Sequence, residues 1–441
     1  MKLVFKVLIV SICFASCNSN SDEWRSKVES PEALHQSIKQ ITDVIVYDIF
    51  SPPVASRIYS YVTIAAYEAA LPINPEFRSL ASQIAGLSEF PKPQADKEYC
   101  FQLASVQAAL KVGRTLIFSE EKIDVFYNAR MEEYREMGIP DDVFDNSIEF
   151  GNKIADHVLE WSSKDNYKQS RSFPKYTIQT DLATWKPTPP AYMDAIEPHW
   201  NKIRTLALDS AQQFKPIKPT EFSTDKKSKF YQEAMEVYKT VNELTPEQKE
   251  IASFWDCNPF MMNVKGHVMF ATKKISPGGH WINITREVCT KARSNFNEST
   301  EAYVKISIAL FDGFVSCWDE KYRSLVIRPE TYINQYIDED WVPVLQTPPF
   351  PEYTSGHSVI SAASAVTLTK LYGENFAFTD STEVEFGLPV RSFSSFYAAS
   401  DEAAISRMYG GIHYRPAIEV GIQEGKALGE FVFNKIRTRV E

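Results

Sequence analysis

Helical periodicity runs through almost the whole chain and limits its fold more than any other feature. Apolar residues recur at the three- and four-residue spacing of amphipathic helices in eleven segments, whereas alternating strand patterns are scarce. We therefore expect a mainly α-helical fold. The predicted helices cover residues 31–50, 54–71, 96–116, 119–137, 140–164, 227–243, 246–255, 280–296, 300–318, 356–373 and 416–436.

Proline and capping residues mark two of the helix starts. Pro52 and Pro53 separate the first two predicted helices. Thr245 is followed by Pro246 and, three residues later, by Gln248, which is the pattern of a capping box with proline at the first helical position. A helix is therefore expected to begin directly after Thr245.

Residues 165–226 differ from the rest of the chain. They are rich in proline, lysine and aromatic residues and contain few periodic apolar positions. A loop of this length is usually either functional or disordered, and the aromatic residues favour an ordered loop that packs on the surface. We place this loop at the end of an N-terminal helical half, residues 31–226, which is followed by a C-terminal helical bundle, residues 227–441.

The first residues have the pattern of an export signal. Two lysines precede a short apolar run over residues 7–14, and small residues lead to Cys17. Residues 1–16 resemble a bacterial lipoprotein leader, with Cys17 as the lipidated residue and 17–30 as a tether; an ordinary secretory leader is the alternative. We expect an exported protein, lipid-anchored in the bacterial cell envelope (periplasm or outer membrane), that meets the membrane only through this lipid.

Charge and cysteine content argue against two further classes of protein, those that bind nucleic acid and those built around a zinc cage. The chain has 47 basic and 57 acidic residues, so its net charge of −10 argues against a nucleic-acid partner. Four cysteines follow Cys17, and none forms a CxxC pair, so we expect no zinc cage. They are predicted to be buried free thiols, although the sequence leaves disulfide pairing open: Cys100, Cys257, Cys289 and Cys317.

Three short segments of the C-terminal half contain the residue types that bind a tetrahedral oxyanion. Arginine offers a planar fork of donors, lysine a mobile charge, a helix N-terminus free N–H groups, and histidine a group that transfers protons. Each segment alone is most often a solvated helix face or a loop. The residues are Lys321 and Arg328 in "WDEKYRSLVIRPE", Ser355, Gly356 and His357 in "YTSGHS", and Arg407 and His413 in "SRMYGGIHYRPA".

Together and in this order, the segments resemble the superfamily of type 2 phosphatidic acid phosphatases and vanadium-dependent haloperoxidases. The shared pattern is K-x6-R-P, then S-G-H, then S-R-x5-H, over residues 318–417. A looser likeness to bacterial haloperoxidase-like proteins extends upstream through "PPVASRIYSYVTIAAYEA", "FWDCNPF" and "PGGHW". The resemblance implies an all-α fold of two four-helix-bundle halves with long irregular connecting loops, and a site in the C-terminal half.

The resemblance also implies a cofactor and a role for each residue. The cofactor is vanadate, with phosphate as a competitor or mimic, and no haem is expected. His413 is the metal ligand, and His357 is the acid–base group. The catalytic set is His357, His413 and Lys321, and the oxyanion-binding set is Lys321, Arg328, Ser355, Gly356 and Arg407.

Two observations favour the haloperoxidase branch. Trp318 and Phe350 occupy positions that match vanadium chloroperoxidases and would form a wall for a weakly hydrated halide; plain core packing is the alternative. Ala417 stands where the phosphatases have an aspartate that orients the last histidine. A backbone carbonyl or Glu419 would then orient His413.

The sequence thus predicts an enzyme that oxidises halide with hydrogen peroxide to a hypohalous-acid-type agent for a small organic acceptor. The first alternative is an exported acid phosphatase that cleaves a phosphate ester through a phosphohistidine. The second is a lipoprotein that binds oxyanions without turnover. The remaining histidines are expected to be structural or at the surface: His35, His157, His199, His267 and His280.

Overall fold

A computed structural model describes residues 23–265 and 268–440. The predicted leader, Cys17 and His267 lie outside these residues. The described chain is mostly helical. Its helices are α1 (Glu23–Val28), α2 (Glu32–Tyr47), α3 (Pro52–Ala70), α4 (Phe101–Leu116), α5 (Glu120–Glu136), α6 (Asp141–Ser162), α7 (Tyr167–Ser170), α8 (Lys229–Asn242), α9 (Pro246–Phe254), α10 (Pro277–Ala292), α11 (Phe296–Ser324), α12 (Pro329–Tyr336), α13 (Gly356–Tyr372), α14 (Phe396–Tyr409) and α15 (Arg415–Lys435).

Strands are few in the described part of the chain. Two antiparallel hairpins are present, β1 (Met262–Lys265) with β2 (Val268–Ala271) and β3 (Phe378–Asp380) with β4 (Arg391–Phe393). The expected all-α class is confirmed. Each of the eleven predicted segments coincides with a helix, and the capping box at Thr245 forms as expected. Helix α14 was not predicted, although it carries one of the predicted site residues.

Helix α11 lies at the centre of the molecule. Every residue from Ser299 to Lys321 is buried, which is typical of a helix that is covered on all sides. It contacts α3, which packs with α4 and α6, and it also contacts α13 and α15, which pack with α14. Two groups of helices therefore share α11, and the division at residues 226 and 227 stays a prediction.

Small residues bring α13 and α15 close together. A Cβ atom on Gly425 would overlap the backbone carbonyl of Val359, so glycine is required for this approach. Near the start of α13, the Ser355 N–H donates to the carbonyl oxygen of Ala417 at 3.0 Å. The start of α13 is thereby fixed against the first turn of α15.

The long loop 165–226 is ordered and packs against the helical core. Trp185 and Trp200 are fully buried. Asp312 of α11 accepts hydrogen bonds from three consecutive backbone N–H groups, those of residues 206–208, at 2.7–2.9 Å. Among the described residues, no helix is both long and apolar enough to cross a membrane.

Candidate active site

The predicted site residues come from five places in the fold that lie at or next to one pocket. Lys321 lies on the last turn of α11, and Arg328 directly precedes α12. Ser355 caps α13, Arg407 lies on the last turn of α14, and His413 precedes α15. The left-handed residue Leu325, with a φ of 51°, ends α11 and turns the chain toward Arg328. The structure thus brings the three sequence segments together.

Glu352 holds the ring of His413. Its Oε1 atom lies 2.8 Å from His413 Nδ1 and accepts the Tyr414 N–H at 2.9 Å. Burial, and next the charges of Arg328 and Lys321, lower the pKa of His413 well below its usual value, which favours the neutral ring. Burial raises the pKa of Glu352 to about 7. With the proton on Nδ1, the Nε2 lone pair remains available as a ligand.

Glu419 does not orient His413. It is exposed and lies 4.0 Å from Arg415, one turn away on α15. The carboxylate beside His413 comes instead from "PPFPEY", ahead of α13. Glu352 is the only acidic residue between Asp340 and Glu374, and this isolated position was the sequence signal that could have identified it.

Arg328 is completely buried beside His413. Its Nε donates to the Phe350 carbonyl at 2.9 Å, and its Nη1 donates to the Ile412 carbonyl at 2.8 Å and lies 3.2 Å from His413 Nε2. Its Nη2 is buried and has no hydrogen-bond partner. Burial lowers the pKa of Arg328 to about 10, so the group is still charged at neutral pH. One positively charged donor therefore remains available next to the imidazole.

Lys321 uses all of its donors on the backbone. Its Nζ donates to the carbonyl oxygens of Pro351, Glu352 and Thr354 at 3.0, 3.1 and 2.5 Å. An ammonium group has three N–H bonds, so it must exchange one of these acceptors before it can donate to an oxyanion. Burial lowers the pKa of Lys321 to about 8. In this structure Lys321 supplies a nearby charge and ties down the segment that contains Glu352.

His357 and Arg407 form a second pair, and both residues line the pocket. Arg407 Nη1 lies 2.9 Å from His357 Nε2 and donates to the Trp255 carbonyl at 2.5 Å, while Arg407 Nε is buried without a partner. Burial, and then the charge of Arg407, lower the pKa of His357 well below its usual value. A neutral imidazole at this place can accept a proton from a bound reactant.

The N-terminus of α13 lies at the same pocket. The Ser355 side chain accepts the Ser358 N–H at 3.3 Å, so it caps the helix. The N–H groups of the first turn have no acceptor within their own helix, and they lie at the positive end of its dipole. Gly356 and His357 are the first residues of this turn. Its geometry suits an anion between His357 and His413.

The pocket itself is narrow and mainly apolar. Trp318 and Phe350 lie side by side on its wall, with ring centroids 4.9 Å apart. Lys321, Arg328 and Ser355 are absent from the lining. The lining residues from the predicted set are Trp318, Phe350, Gly356, His357, Arg407 and His413.

The sequence reasoning missed several residues of the pocket. The segment "FWDCNPF" contributes Cys257 and Phe260 to the lining, and its Trp255 carbonyl accepts a hydrogen bond from Arg407. The likeness of this segment to haloperoxidase-like proteins was its signal. All four described cysteines are buried and free, as expected.

Four of the histidines outside the predicted site are described. His35 is buried 2.8 Å from the Tyr303 hydroxyl. His157 lies 3.2 Å from the Ser88 carbonyl, and His199 lies 2.7 Å from the Pro174 carbonyl. His280 is fully buried between the carboxylates of Asp380 and Glu383.

The C-terminal part of the chain matches a known protein family. The family profile for the VCPO second helical-bundle domain matches residues 301–441. The comparison with curated proteins gives no match. The holo and apo structures of a bacterial vanadium-dependent chloroperoxidase share the fold, each with a TM-score of 0.66 and 15% identity. Each match covers 88% of this chain, and it covers 93% of the holo chain and 94% of the apo chain.

A more similar structure is that of the first bacterial vanadium-dependent iodoperoxidase. It superposes with a TM-score of 0.89 at 50% sequence identity. The match covers 93% of this chain and 98% of the iodoperoxidase. With half of the matched residues identical over nearly the full length of both proteins, the chain belongs to the family of vanadium-dependent haloperoxidases.

Proposed function

We propose that this enzyme uses bound vanadate and hydrogen peroxide to oxidise halide, with iodide preferred, and that it passes the resulting hypohalous-acid-type agent to a small organic acceptor. The choice of iodide is supported by the 50% identity to an iodoperoxidase. The observation that carries the site assignment is the position of His413 beside Arg328, whose Nη2 is buried without a hydrogen-bond partner.

Vanadate fits the donor set. Arg328 Nη2 and Arg407 Nε are buried donors without a hydrogen-bond partner, and an unsatisfied buried donor costs about 1–3 kcal/mol. Both atoms would be satisfied by oxygens of a tetrahedral anion. The first-turn N–H groups of α13, next to Gly356, would bind a further oxygen.

His413 would be the ligand to vanadium through Nε2. Glu352 keeps the other ring nitrogen occupied, which fixes the ring and makes Nε2 more basic. Arg328, 3.2 Å from the same nitrogen, would keep the negative charge of the cofactor next to the imidazole. The neutral state of His413 in the buried site is the form that binds a metal.

Bound vanadate supplies the Lewis-acid centre that activates hydrogen peroxide toward attack by halide. His357 would accept a proton from peroxide as it enters and return a proton to the leaving oxygen. Arg407, 2.9 Å from His357 Nε2, disfavours the imidazolium, so the ring releases its proton readily. Lys321, which does not line the pocket, would add positive charge near the bound anion.

Trp318 and Phe350 would form the halide side of the pocket. A weakly hydrated, polarisable anion loses less hydration on entering an apolar site than a small, strongly hydrated one. Iodide therefore suits this wall better than chloride. The test is halide oxidation by vanadate-loaded protein with equal concentrations of iodide, bromide and chloride. We expect the highest kcat/KM for iodide; an equal or higher value for bromide would contradict the preference.

A second, weaker activity is hydrolysis of phosphate esters by the metal-free protein. The position of Glu352 favours this activity. The phosphatases orient their nucleophilic histidine with an aspartate that is missing at position 417, and Glu352 supplies a carboxylate to His413 instead. Ester hydrolysis would be measured beside iodide oxidation, with and without vanadate. We expect vanadate to suppress hydrolysis and to create the oxidase activity. Hydrolysis that is unaffected by vanadate would place the two activities at different sites.

We further propose that the protein is exported and lipid-anchored through Cys17. The support is the sequence alone, namely the short apolar run, the small residues before Cys17 and the polar residues after it. Metabolic labelling with a radioactive fatty acid should mark the wild-type protein in the membrane fraction. Label on a Cys17→Ser variant would contradict this assignment.

A further inference from the structure

A second cluster of ligand-type side chains lies beside the vanadate pocket. It consists of Cys257, His280 and Glu383, whose ligand atoms all lie within 4.8 Å of one another. All three residues are buried, and they come from three distant segments of the chain. No local spacing such as CxxC connects them, and a metal site here was therefore not predicted.

The spacing of the three atoms is that of a metal-ligand set. Cys257 Sγ lies 3.3 Å from His280 Nδ1, His280 Nδ1 lies 3.1 Å from Glu383 Oε1, and the sulfur and the carboxylate oxygen are 3.9 Å apart. The circle through these atoms has a radius of about 2.0 Å, close to a Zn–N or Zn–O bond length. Adjacent ligands of tetrahedral zinc lie roughly 3.3–3.6 Å apart.

The histidine is held in the orientation that a metal ligand needs. Asp380 Oδ2 lies 2.7 Å from His280 Nε2, and the other oxygen of Asp380 accepts the N–H and hydroxyl of Thr382 at 3.0 and 2.6 Å. Nδ1 therefore points to Cys257 and Glu383. A carboxylate on the outer nitrogen of a ligating histidine is the usual arrangement at metal centres.

The charges of the cluster also favour a cation. Two buried carboxylates and a thiol surround one imidazole, and Lys274 forms its ion pair with Asp256 at 2.5 Å. Purely hydrogen-bonded packing would leave these acids with one imidazolium and the more distant charge of Lys274. A divalent ion would balance the charge of a thiolate and a carboxylate, and mixed sulfur, nitrogen and oxygen ligands suit zinc.

We propose that Cys257, His280 and Glu383 bind a divalent metal ion of the zinc class. The site is separate from the vanadate ligand His413 but is linked to the same pocket. Trp255 stacks on His280 with ring centroids 4.7 Å apart, and its carbonyl accepts a hydrogen bond from Arg407. The ion would fix the segment that holds Arg407 in place.

Cobalt is the probe that tests the ligand set directly. Vanadate-loaded protein, freed of other metals with a chelator, would be titrated with Co²⁺ and followed by absorbance. We expect one equivalent to bind with a thiolate-to-cobalt charge-transfer band in the near ultraviolet, and Zn²⁺ to displace it. Zn²⁺ should also raise the melting temperature. A wild-type protein that shows neither the band nor one tightly bound equivalent would overturn the proposal.

Matched variants separate this site from other thiols and histidines. Cys257→Ser should abolish the charge-transfer band, and Glu383→Gln, which keeps the side-chain shape, should weaken Co²⁺ binding by more than about tenfold. The controls are Cys289→Ser, whose buried thiol lies 3.3 Å from the Tyr372 hydroxyl, and His35→Gln. The proposal fails if the band persists in Cys257→Ser or disappears in Cys289→Ser. If Cys257→Ser does not fold, unchanged binding in Glu383→Gln refutes it.

Discussion

Oε1 of Glu352 lies 2.8 Å from Nδ1 of His413, so the carboxylate that holds the last histidine comes from the segment before α13. The same segment is fixed by Lys321 through three carbonyl oxygens, and Arg328 binds the Phe350 carbonyl two residues earlier. The two cations and the carboxylate therefore form one buried assembly. The orientation of His413 depends on that assembly rather than on its neighbours in the chain.

Replacing Glu352 with glutamine should weaken vanadate binding by about 10–100-fold, because a neutral amide makes Nε2 of His413 less basic. Equilibrium titration with vanadate measures this change. The matched control is Glu419→Gln, an exposed acid on α15 that does not contact the imidazole. Equal losses in both variants would show that general charge, not the contact with His413, sets the affinity.

Vanadate binding should have a narrow optimum between about pH 7 and 8. Below about pH 7 Glu352 gains a proton and stops increasing the basicity of His413, so affinity falls with falling pH. Above about pH 8 Lys321 loses its charge, so affinity falls with rising pH. Titrations across this range would show both limbs. Parallel titrations of Glu352→Gln serve as the control, because this variant should lack the fall in affinity on the acidic side. A fall that remains in the variant would come from ionisation of vanadate itself.

His413→Ala should abolish vanadate-dependent iodide oxidation. The substitution removes the only expected bond from the protein to vanadium. The loss of vanadate affinity should therefore exceed the roughly 10–100-fold loss that follows when a ligating histidine loses its hydrogen-bonded carboxylate. Activity and vanadate affinity would be compared with wild type, and His35→Ala serves as a buried control outside the site. Full activity in the His413 variant would contradict the assignment.

Phosphate should compete with vanadate for the same site. Both are tetrahedral oxyanions, and the unpaired nitrogens of Arg328 and Arg407 offer the same donors to each. The apparent Kd for vanadate should therefore rise in proportion to the phosphate concentration. An unchanged vanadate affinity at high phosphate would show that the two anions bind separately.

The sequence predicted most helices because their apolar periodicity is local. Helix α14 was not predicted, because its sequence, "FYAASDEAAISRMY", is rich in alanine and serine and has only a weak apolar stripe. In the fold it is covered by neighbouring helices. The candidate oxyanion residues were identified through three motifs with fixed spacing. Glu352 and the Cys257 cluster were not assigned, because their partners lie 23 to 126 residues away in the chain and no local motif connects them.

Ala417→Asp gives the last prediction, and the structure reverses the effect that the sequence suggests. From sequence alone, an acid at this position is expected to increase the basicity of His413 and so to promote ester hydrolysis. Ala417 is instead fully buried, and its carbonyl accepts the N–H of Ser355. The imidazole nitrogen that the acid would approach is already occupied by Glu352.

The new carboxylate would therefore be buried without a partner, at a cost of about 3–5 kcal/mol in the free energy of unfolding. We expect a lower melting temperature and no gain in ester hydrolysis by the metal-free variant. Ala417→Asn has nearly the same size without the charge, so it should be less destabilised. An Ala417→Asp protein with unchanged stability and faster hydrolysis would show that position 417 reaches the imidazole after all, and that Glu352 is not its sole carboxylate partner.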